Sequence, residues 1–189
     1  ANAQELLRMH SDSVMDERTL REMYLTNFEI AIKEGKPGFV MTAYNRVNGV
    51  YANESRHLLG DILRGEWGFD GAVVTDWGGS NDHALGVKNG STLEMPAPGG
   101  DAIRELMKAV QTGKITEADV DARLEKLLEL VFTTKAAVDA APGKFDADAH
   151  HALARRAAAQ SIVLLKNENS LLPLAKGEKV AVIGDLSLI

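Results

Sequence analysis

The chain has 189 residues, of which 45% are hydrophobic and 25% charged, the composition of a globular protein with one domain or one domain and part of another. Its formal net charge of -6 leaves no electrostatic basis for binding nucleic acid, because phosphate backbones would be repelled. No apolar stretch is long enough to span a membrane, and without cysteine there is no disulfide framework and no thiolate site. We therefore expect neither nucleic acid nor a membrane as a partner, and the sequence leaves the compartment open.

Helix and strand patterns alternate along the first part of the chain. The first predicted helix begins after Asp16, which can cap it, and ends near residues 35–37. Its apolar face comprises Leu20, Met23, Tyr24, Phe28, Ala31 and Ile32. A strand is predicted over residues 39–44, with a turn at residues 48–49. A second helix, capped by Asn53 and ending at Gly65, is expected to bury Leu58, Leu59, Ile62 and Leu63.

The alternation continues after a buried strand over residues 72–75. The pattern predicts a short helix over residues 80–90, a weak strand over residues 91–95 and a helix over residues 102–112. Thr116 and Asp119 have the spacing of a capping box in front of a longer helix. That helix is expected to end before the composition changes after Thr134, and its inward face comprises Val120, Leu124, Leu127, Leu128, Val131 and Phe132.

The spacing of the strands favours a (β/α)8 barrel. Tyr44 and Asp76 both stand at strand ends and are 32 residues apart, close to the roughly 30 residues per unit of such a barrel. Three strands make less than half a barrel, so we expect the chain to be a piece of something larger. Residues 135–148 lack apolar periodicity and contain a Pro-Gly break, which indicates a linker. Residues 149–189 look like the beginning of a second α/β domain.

Asp76 is the residue best placed for chemistry. It directly follows the buried strand and precedes Trp77 and a pair of glycines. In parallel α/β proteins the carboxyl ends of strands carry the active site, because the following loops are open to ligand while the strand fixes the side chain. The pattern alone leaves open the alternative that Asp76 only caps the next helix.

Other polar residues carry weaker signals. Glu66, Asp70, Asp82 and Glu94 have no defined spacing to Asp76, and we interpret them as solvated or capping groups. The five histidines lack the spacing of metal ligands, so no metal is expected.

Residues 2–9, 13–22, 40–49, 63–77 and 161–167 form a set of specific motifs, including the runs VMTAYNRVNG and LRGEWGFDG and the pair Asp76-Trp77. In these motifs, and over nearly its whole length, the chain resembles glycoside hydrolase family 3 enzymes of the β-glucosidase type. The resemblance implies an α/β fold: the C-terminal half of a TIM-like (β/α)8 barrel in residues 1–134, an inter-domain linker in residues 135–148, and the beginning of an α/β sandwich domain in residues 149–189.

The resemblance also implies a retaining β-glycosidase that acts on small β-linked glucosides and needs no cofactor. By it, Asp76 is the nucleophile, which forms a glycosyl-enzyme that water then hydrolyses. Arg8 would hydrogen-bond sugar hydroxyls, and Met41 would belong to the wall of the sugar site. Tyr44 would hold the Asp76 carboxylate, and Trp77 would stack on a sugar face. The alternatives are a surface Arg8, a Met41 or Tyr44 in the core, and a Trp77 that only packs.

Other parts of the active site are expected outside these residues. The family's Lys-His pair and its sugar-clamping Asp and Arg would lie upstream of Asn2, and its general acid, a Glu, would lie beyond Ile189. We therefore expect the chain alone to be inactive. Its partners would be a β-glucoside or short β-linked oligosaccharide and the remaining segments of the same enzyme. A non-catalytic structural or sugar-binding fragment stays open, as does β-xylosidase or N-acetylhexosaminidase specificity.

Overall fold

The computed structural model describes residues 2–140 and 143–184, and the chain divides into two compact units, residues 1–142 and 143–189. Helices dominate an α/β arrangement in the first unit, whose strands are short. Its strands are β1 (Asp12–Ser13), β2 (Phe39–Met41), β3 (Arg46–Val47), β4 (Val50–Tyr51) and β5 (Ala72–Val74). Its α-helices are α1 (Glu17–Thr19), α2 (Thr26–Gly35), α3 (His83–Asn89), α4 (Gly100–Gln111) and α5 (Glu117–Ala140).

The first predicted helix forms as one continuous helical stretch. A π-helical segment, Leu20–Leu25, joins α1 to α2. The Asp16 carboxylate caps its start by accepting the Thr19 N–H at 2.8 Å, as predicted. The predicted apolar face is wrong in part: Leu20 and Ile32 are buried, whereas Met23 is 72% exposed. The pattern identifies the side chains able to pack but not the surface that would cover them.

A parallel pair of strands organises the first unit. Phe39, Val40 and Met41 pair with Ala72, Val73 and Val74, and Val74 makes a further parallel bridge to Leu93. The strand predicted over residues 39–44 is therefore shorter, although the Thr42 N–H still donates to the Val74 carbonyl at 2.9 Å. Behind the pair lies a core cluster of Ile32, Leu59, Leu63, Phe69 and Val73.

Glycine permits the close approach of the two strands at their amino ends. A Cβ atom at Gly71 would meet the carbonyl oxygen of Gly38 and would lie 2.7 Å from Cζ of Phe69. The Gly38 carbonyl instead accepts the Ala72 N–H at 3.1 Å, directly before the paired residues. Only a residue without a Cβ fits between these groups.

A small second sheet has the order β1-β3-β4. β1 and β3 are parallel, whereas β3 and β4 form an antiparallel hairpin. The hairpin turns at Asn48 and Gly49, both with positive φ, as the Asn-Gly pair predicts.

The cap of the second helix was predicted wrongly. The π-helix Arg56–Glu66 is capped by Ser55, whose Oγ accepts the Leu58 N–H at 3.2 Å. Asn53 lies instead in the 3₁₀ turn Ala52–Glu54 and accepts a hydrogen bond from the Thr42 hydroxyl at 3.2 Å. Asn and Ser are both favourable caps, and the tertiary contact of Asn53 decides between them.

Helices α3 and α4 pack around a second cluster, Ala84, Ala109 and Ile115. The capping box is confirmed: the Asp119 N–H donates to Thr116 Oγ1 at 3.1 Å, and the Thr116 N–H donates to Asp119 Oδ2 at 2.8 Å. The predicted inward face of α5 is wrong for most of its residues, since Leu124 is 48% and Phe132 66% exposed.

Helix α5 also runs on to Ala140, beyond the predicted change at Thr134. Three of the six residues that follow Thr134 in the helix are Ala, the best helix former, so the loss of apolar periodicity does not end the helix. The predicted linker, residues 135–148, therefore begins inside a helix, and its residues 141 and 142 lie outside the described residues. The division into domain, linker and second domain stays a prediction.

The second unit contains α6 (Ala147–Ser161), capped by Asp146, and a 3₁₀ turn, Glu168–Ser170. Within described residues 162–184 no strand forms, so the beginning of a second α/β domain expected there shows only helical elements. A strand requires neighbouring strands to complete its hydrogen bonds, and the apolar side chains of this segment are exposed, Leu165 at 91%. Residues 185–189 lie outside the description. None of the helices described here is long and apolar enough to cross a membrane.

Candidate active site

Asp76 lies where β5 gives way to a loop, and its side chain is half-buried. One carboxylate oxygen, Oδ1, accepts the Trp77 N–H at 2.6 Å. The Gly79 N–H turns back to the Asp76 carbonyl at 2.8 Å, so the chain reverses directly after the carboxylate. The Asp76 carboxylate is thus held through one oxygen by the backbone of the turn that follows it.

The strand end that carries Asp76 is held by the segment after Leu93. Thr75, 2% exposed, accepts the Met95 N–H on its hydroxyl at 2.8 Å and donates that hydroxyl to the Met95 carbonyl at 3.1 Å. The Gly78 N–H donates to the same carbonyl at 2.7 Å. Both sides of Asp76 are therefore anchored to one neighbouring segment.

Tyr44 lies beside Asp76, three residues beyond the end of β2. Its hydroxyl donates to the Trp77 carbonyl at 2.9 Å. Burial raises the pKa of the Tyr44 phenol, and the Asp76 carboxylate raises it further, because a second negative charge beside that carboxylate is unfavourable. Tyr44 is therefore a neutral hydrogen-bond donor over the physiological pH range.

Arg8 joins this group through the aromatic ring. Its Cζ atom lies 4.9 Å from the centroid of the Tyr44 ring, and its Nη1 makes an ion pair with the Glu5 carboxylate at 3.2 Å. The cation opposes the rise in the pKa of Tyr44. These contacts connect four residues into one group: Arg8, Tyr44, Asp76 and Trp77. The group combines a carboxylate, a neutral phenol and a guanidinium.

Trp77 is 62% exposed, so simple core packing does not describe it. An exposed indole beside a fixed carboxylate presents a flat apolar face of the kind on which a sugar ring can stack. Met9 lies nearby, since its methyl carbon is 4.0 Å from the position of a Cβ at Gly78.

Met41 stands apart from this group. It is paired with Val74 in the sheet, is 59% exposed and borders an apolar pocket of about 150 Å³ together with Leu20, Tyr24 and Phe28. Its exposure argues against the alternative of a core methionine, but none of the described contacts joins it to Asp76.

The other acidic residues have structural partners. Asp82 caps α3 by accepting the Leu85 N–H at 2.9 Å, and exposed Asp70 pairs with Lys126 at 2.8 Å. Glu66 binds Arg21 through both oxygens, at 2.6 and 2.8 Å. The interpretation of Glu94 as a solvated or capping group is wrong, because it is largely buried and 2.7 Å from Nδ1 of His83.

Sequence reasoning missed Glu54, a buried acid that accepts two backbone N–H groups of the loop following Asp76. Nothing in the apolar periodicity marks it, because acidic residues near a helix start are ordinarily solvated. In the described residues no set of three or more His, Asp or Glu side chains is arranged to hold a metal ion.

The chain belongs to glycosyl hydrolase family 3: the model of the family's N terminal domain matches residues 9–130. That match includes Met41, Tyr44, Asp76 and Trp77. Arg8 lies immediately before it.

Curated relatives agree with this assignment. The chain is 46% identical over 184 residues to the thermostable beta-glucosidase B of Acetivibrio thermocellus, covering 97% of the chain and 24% of the relative. It is 40% identical over 196 residues to an exo-alpha-(1->6)-L-arabinopyranosidase of Bifidobacterium longum, covering 99% of the chain and 26% of that enzyme. The chain thus spans about a quarter of the length of these relatives.

Solved structures give the same picture. The GH3 beta-glucosidase of Bifidobacterium adolescentis superposes with a TM-score of 0.74 at 38% identity, covering 93% of this chain and 26% of that one. The beta-glucosidase 3B of Thermotoga neapolitana in complex with glucose superposes with a TM-score of 0.70 at 39% identity, again over 93% and 26%.

Proposed function

We propose that this chain is part of a retaining β-glycosidase of the β-glucosidase type, in which Asp76 is the nucleophile. The observation that carries the proposal is the position of Asp76 at the carboxyl end of β5, half-buried, hydrogen-bonded on one oxygen and joined by Tyr44, Arg8 and Trp77. Family membership supports it, since the relatives named above include beta-glucosidases.

In the first step a carboxylate oxygen of Asp76 forms a bond to the anomeric carbon while the bond from that carbon to the leaving oxygen breaks, and an acid from another segment of the enzyme gives its proton to that oxygen. The Trp77 N–H holds one oxygen of Asp76 and thereby orients the other. Water then attacks the anomeric carbon and gives a proton to the same group, now acting as a base, while the bond to Asp76 breaks and the configuration is retained. The negative charge of Asp76 also stabilises the oxocarbenium-like transition state.

The neighbouring side chains would bind and orient the sugar. Arg8 offers forked N–H donors to neighbouring hydroxyls, and the exposed face of Trp77 offers a stacking surface. Tyr44, kept neutral, holds the Trp77 carbonyl and stands beside the nucleophile. We assign Met41 to the wall of the sugar site only through the family resemblance.

The proposal extends to the architecture. The parallel order of β2, β5 and Leu93 suits part of a (β/α)8 barrel in residues 1–134, followed by a linker in residues 135–148 and the beginning of an α/β sandwich domain. A retaining glycosidase needs a second carboxyl about 5 to 5.5 Å from the nucleophile. We propose that other segments of the enzyme supply this acid, and that the 189 residues alone do not turn over substrate.

A 2-fluoro-glucoside with a good leaving group tests the nucleophile, because the glycosyl-enzyme forms from it quickly and is hydrolysed slowly, so the labelled enzyme accumulates. In the full gene product, mass spectrometry of peptides should find the label on Asp76. Asp76→Asn should abolish labelling and lower turnover on the order of a thousandfold or more. Asp121→Asn, the same change on an exposed carboxylate of α5, is the matched control and should leave both unchanged. Tight binding of glucose without labelling would instead support a sugar-binding fragment.

The sugar specificity has a second candidate, an α-L-arabinopyranoside, because one of the relatives is named for that activity. Such a sugar carries its leaving group equatorially, as a β-glucoside does, but lacks the hydroxymethyl group. A panel of aryl β-glucoside, β-xyloside, N-acetyl-β-glucosaminide and α-L-arabinopyranoside, compared by kcat/KM, separates the candidates. The highest value should be for the β-glucoside.

A further inference from the structure

Glu54 is a buried acid that the catalytic proposal does not use. It ends the 3₁₀ turn Ala52–Glu54 and is only 4% exposed. Burying a carboxylate is costly unless its oxygens are hydrogen-bonded. The contacts that compensate this cost therefore indicate what Glu54 holds in place.

Those contacts lead to the loop after Asp76. Oε1 of Glu54 accepts the N–H of Asn81 at 2.7 Å and the N–H of Asp82 at 2.9 Å. Its backbone carbonyl accepts Nδ2 of Asn89, at the end of α3, at 2.7 Å. Among the described residues no Lys, Arg or His makes an ion pair with Glu54. Backbone N–H groups of a single loop therefore compensate its charge.

The loop held in this way comprises residues 77–82. Its first part is attached to Asp76 by the bond from Gly79, and to Tyr44 by the bond from the hydroxyl to the Trp77 carbonyl. Its last part is attached to Glu54. The bond from the Gly78 N–H to the Met95 carbonyl also holds the first part. Because the loop is short, we expect loss of the Glu54 contacts to loosen Trp77, and the N–H that fixes the Asp76 carboxylate, without releasing them.

We propose that Glu54 is a positioning residue: by holding residues 81 and 82 it fixes the Trp77 N–H and carbonyl, and through them the orientation of Asp76 and Tyr44. This inference rests on the proposed role of Asp76. Glu54 itself does not contact the sugar.

Three variants in the full gene product separate the roles of the oxygen and of the charge. Glu54→Gln keeps an acceptor oxygen at the same reach, whereas Glu54→Asn shortens the side chain and Glu54→Ala removes the acceptor. Ser55→Ala is the matched control, because it deletes the neighbouring cap of the helix Arg56–Glu66 without touching the loop. The first readout is the rate of 2-fluoro-glucoside labelling at Asp76. The second is amide hydrogen exchange at residues 81 and 82. Both are measured at a temperature well below the unfolding midpoint of every variant.

We expect Glu54→Asn and Glu54→Ala to slow labelling about 10- to 100-fold, since a small misplacement of reacting groups costs that much, and to speed exchange at both amides. Glu54→Gln should label at close to the wild-type rate. Ser55→Ala should lower the unfolding midpoint and leave labelling unchanged. If Glu54→Ala fails to fold, Glu54→Asn is compared with Glu54→Gln instead.

Two results would overturn the inference in distinguishable ways. Wild-type labelling at Asp76 with an unchanged rate in folded Glu54→Asn leaves the proposed function standing and refutes the positioning role. No labelling of Asp76 in the wild type refutes the proposed function, and the positioning role falls with it.

Discussion

The guanidinium of Arg8 lies over the ring of Tyr44, with its Cζ 4.9 Å from the ring centroid. A second pair repeats this arrangement in the small sheet, where Cζ of Arg46 lies 4.4 Å from the centroid of Tyr51. The hydroxyls differ: Tyr44 donates to the Trp77 carbonyl, whereas Tyr51 accepts from Nη2 of Arg46. The chain thus contains an internal comparison for the function of Tyr44.

Tyr44→Phe is expected to lower kcat of the full gene product by roughly two- to tenfold, because a hydrogen bond between neutral groups, here the Tyr44 hydroxyl and the Trp77 carbonyl, contributes about 0.5 to 1.5 kcal/mol. The ring and its contact with Arg8 remain. Tyr51→Phe also removes one hydroxyl from a ring that stacks on arginine, and should leave kcat unchanged. Equal losses in the two variants would mean that the effect is structural.

The ion pair between Asp82 and Lys114 predicts a pH-dependent contribution to stability. Burial tends to raise the pKa of Asp82, but the Lys114 ammonium and the Leu85 N–H outweigh it and hold the pKa below its usual value. A carboxyl with a lowered folded-state pKa stabilises the fold above its unfolded pKa of about 3.9, and this contribution is lost as the pH falls through the folded value.

Asp82→Asn isolates this effect, since asparagine still caps α3. At neutral pH it should lower the free energy of unfolding by less than about 1 kcal/mol, because the pair is partly exposed. Denaturant unfolding at a series of pH values should show the difference from the wild type vanishing in acid. Lys114→Gln should behave in the same way at neutral pH. A difference that persists unchanged in acid would contradict the charge explanation.

Gly71→Ala is expected to destabilise the first unit by about 1 to 3 kcal/mol, the usual cost of overpacking. The new methyl group would collide with the Gly38 carbonyl, which cannot move without breaking the strand pair. Gly35→Ala is the matched control at the end of α2, where a Cβ meets nothing within 4 Å. It should be neutral or slightly stabilising, because alanine favours helix. Denaturant midpoints of the two variants provide the measurement.

The sequence predicted features that depend on neighbouring residues. The Asp16 cap, the Thr116–Asp119 capping box and the Asn48–Gly49 turn all follow from chemistry within four residues. The strand before Asp76 was also recognisable, because a short run of small and β-branched residues between glycines suits a buried strand.

Features that depend on distant parts of the chain were predicted less well. Ser55 rather than Asn53 caps the second helix, because Asn53 bonds to Thr42 across the fold. Apolar residues of α5 were expected inside but are exposed, since periodicity shows which face can pack and not what packs on it. Glu54 was missed because its partners, Asn81 and Asp82, become neighbours only when the loop folds back.

The contact between Gly71 and Gly38 has a consequence at the opposite end of the strands. Pairing begins immediately after it, with Ala72 on Phe39, and continues to Val74 on Met41. A slip of one residue would displace Asp76 along Tyr44 by about 3.3 Å and turn its side chain to the other face of the sheet. The absence of a Cβ atom at Gly71 therefore fixes the register of the two strands at their amino ends. Through that register it sets the position of Asp76 relative to Tyr44 at the carboxyl ends.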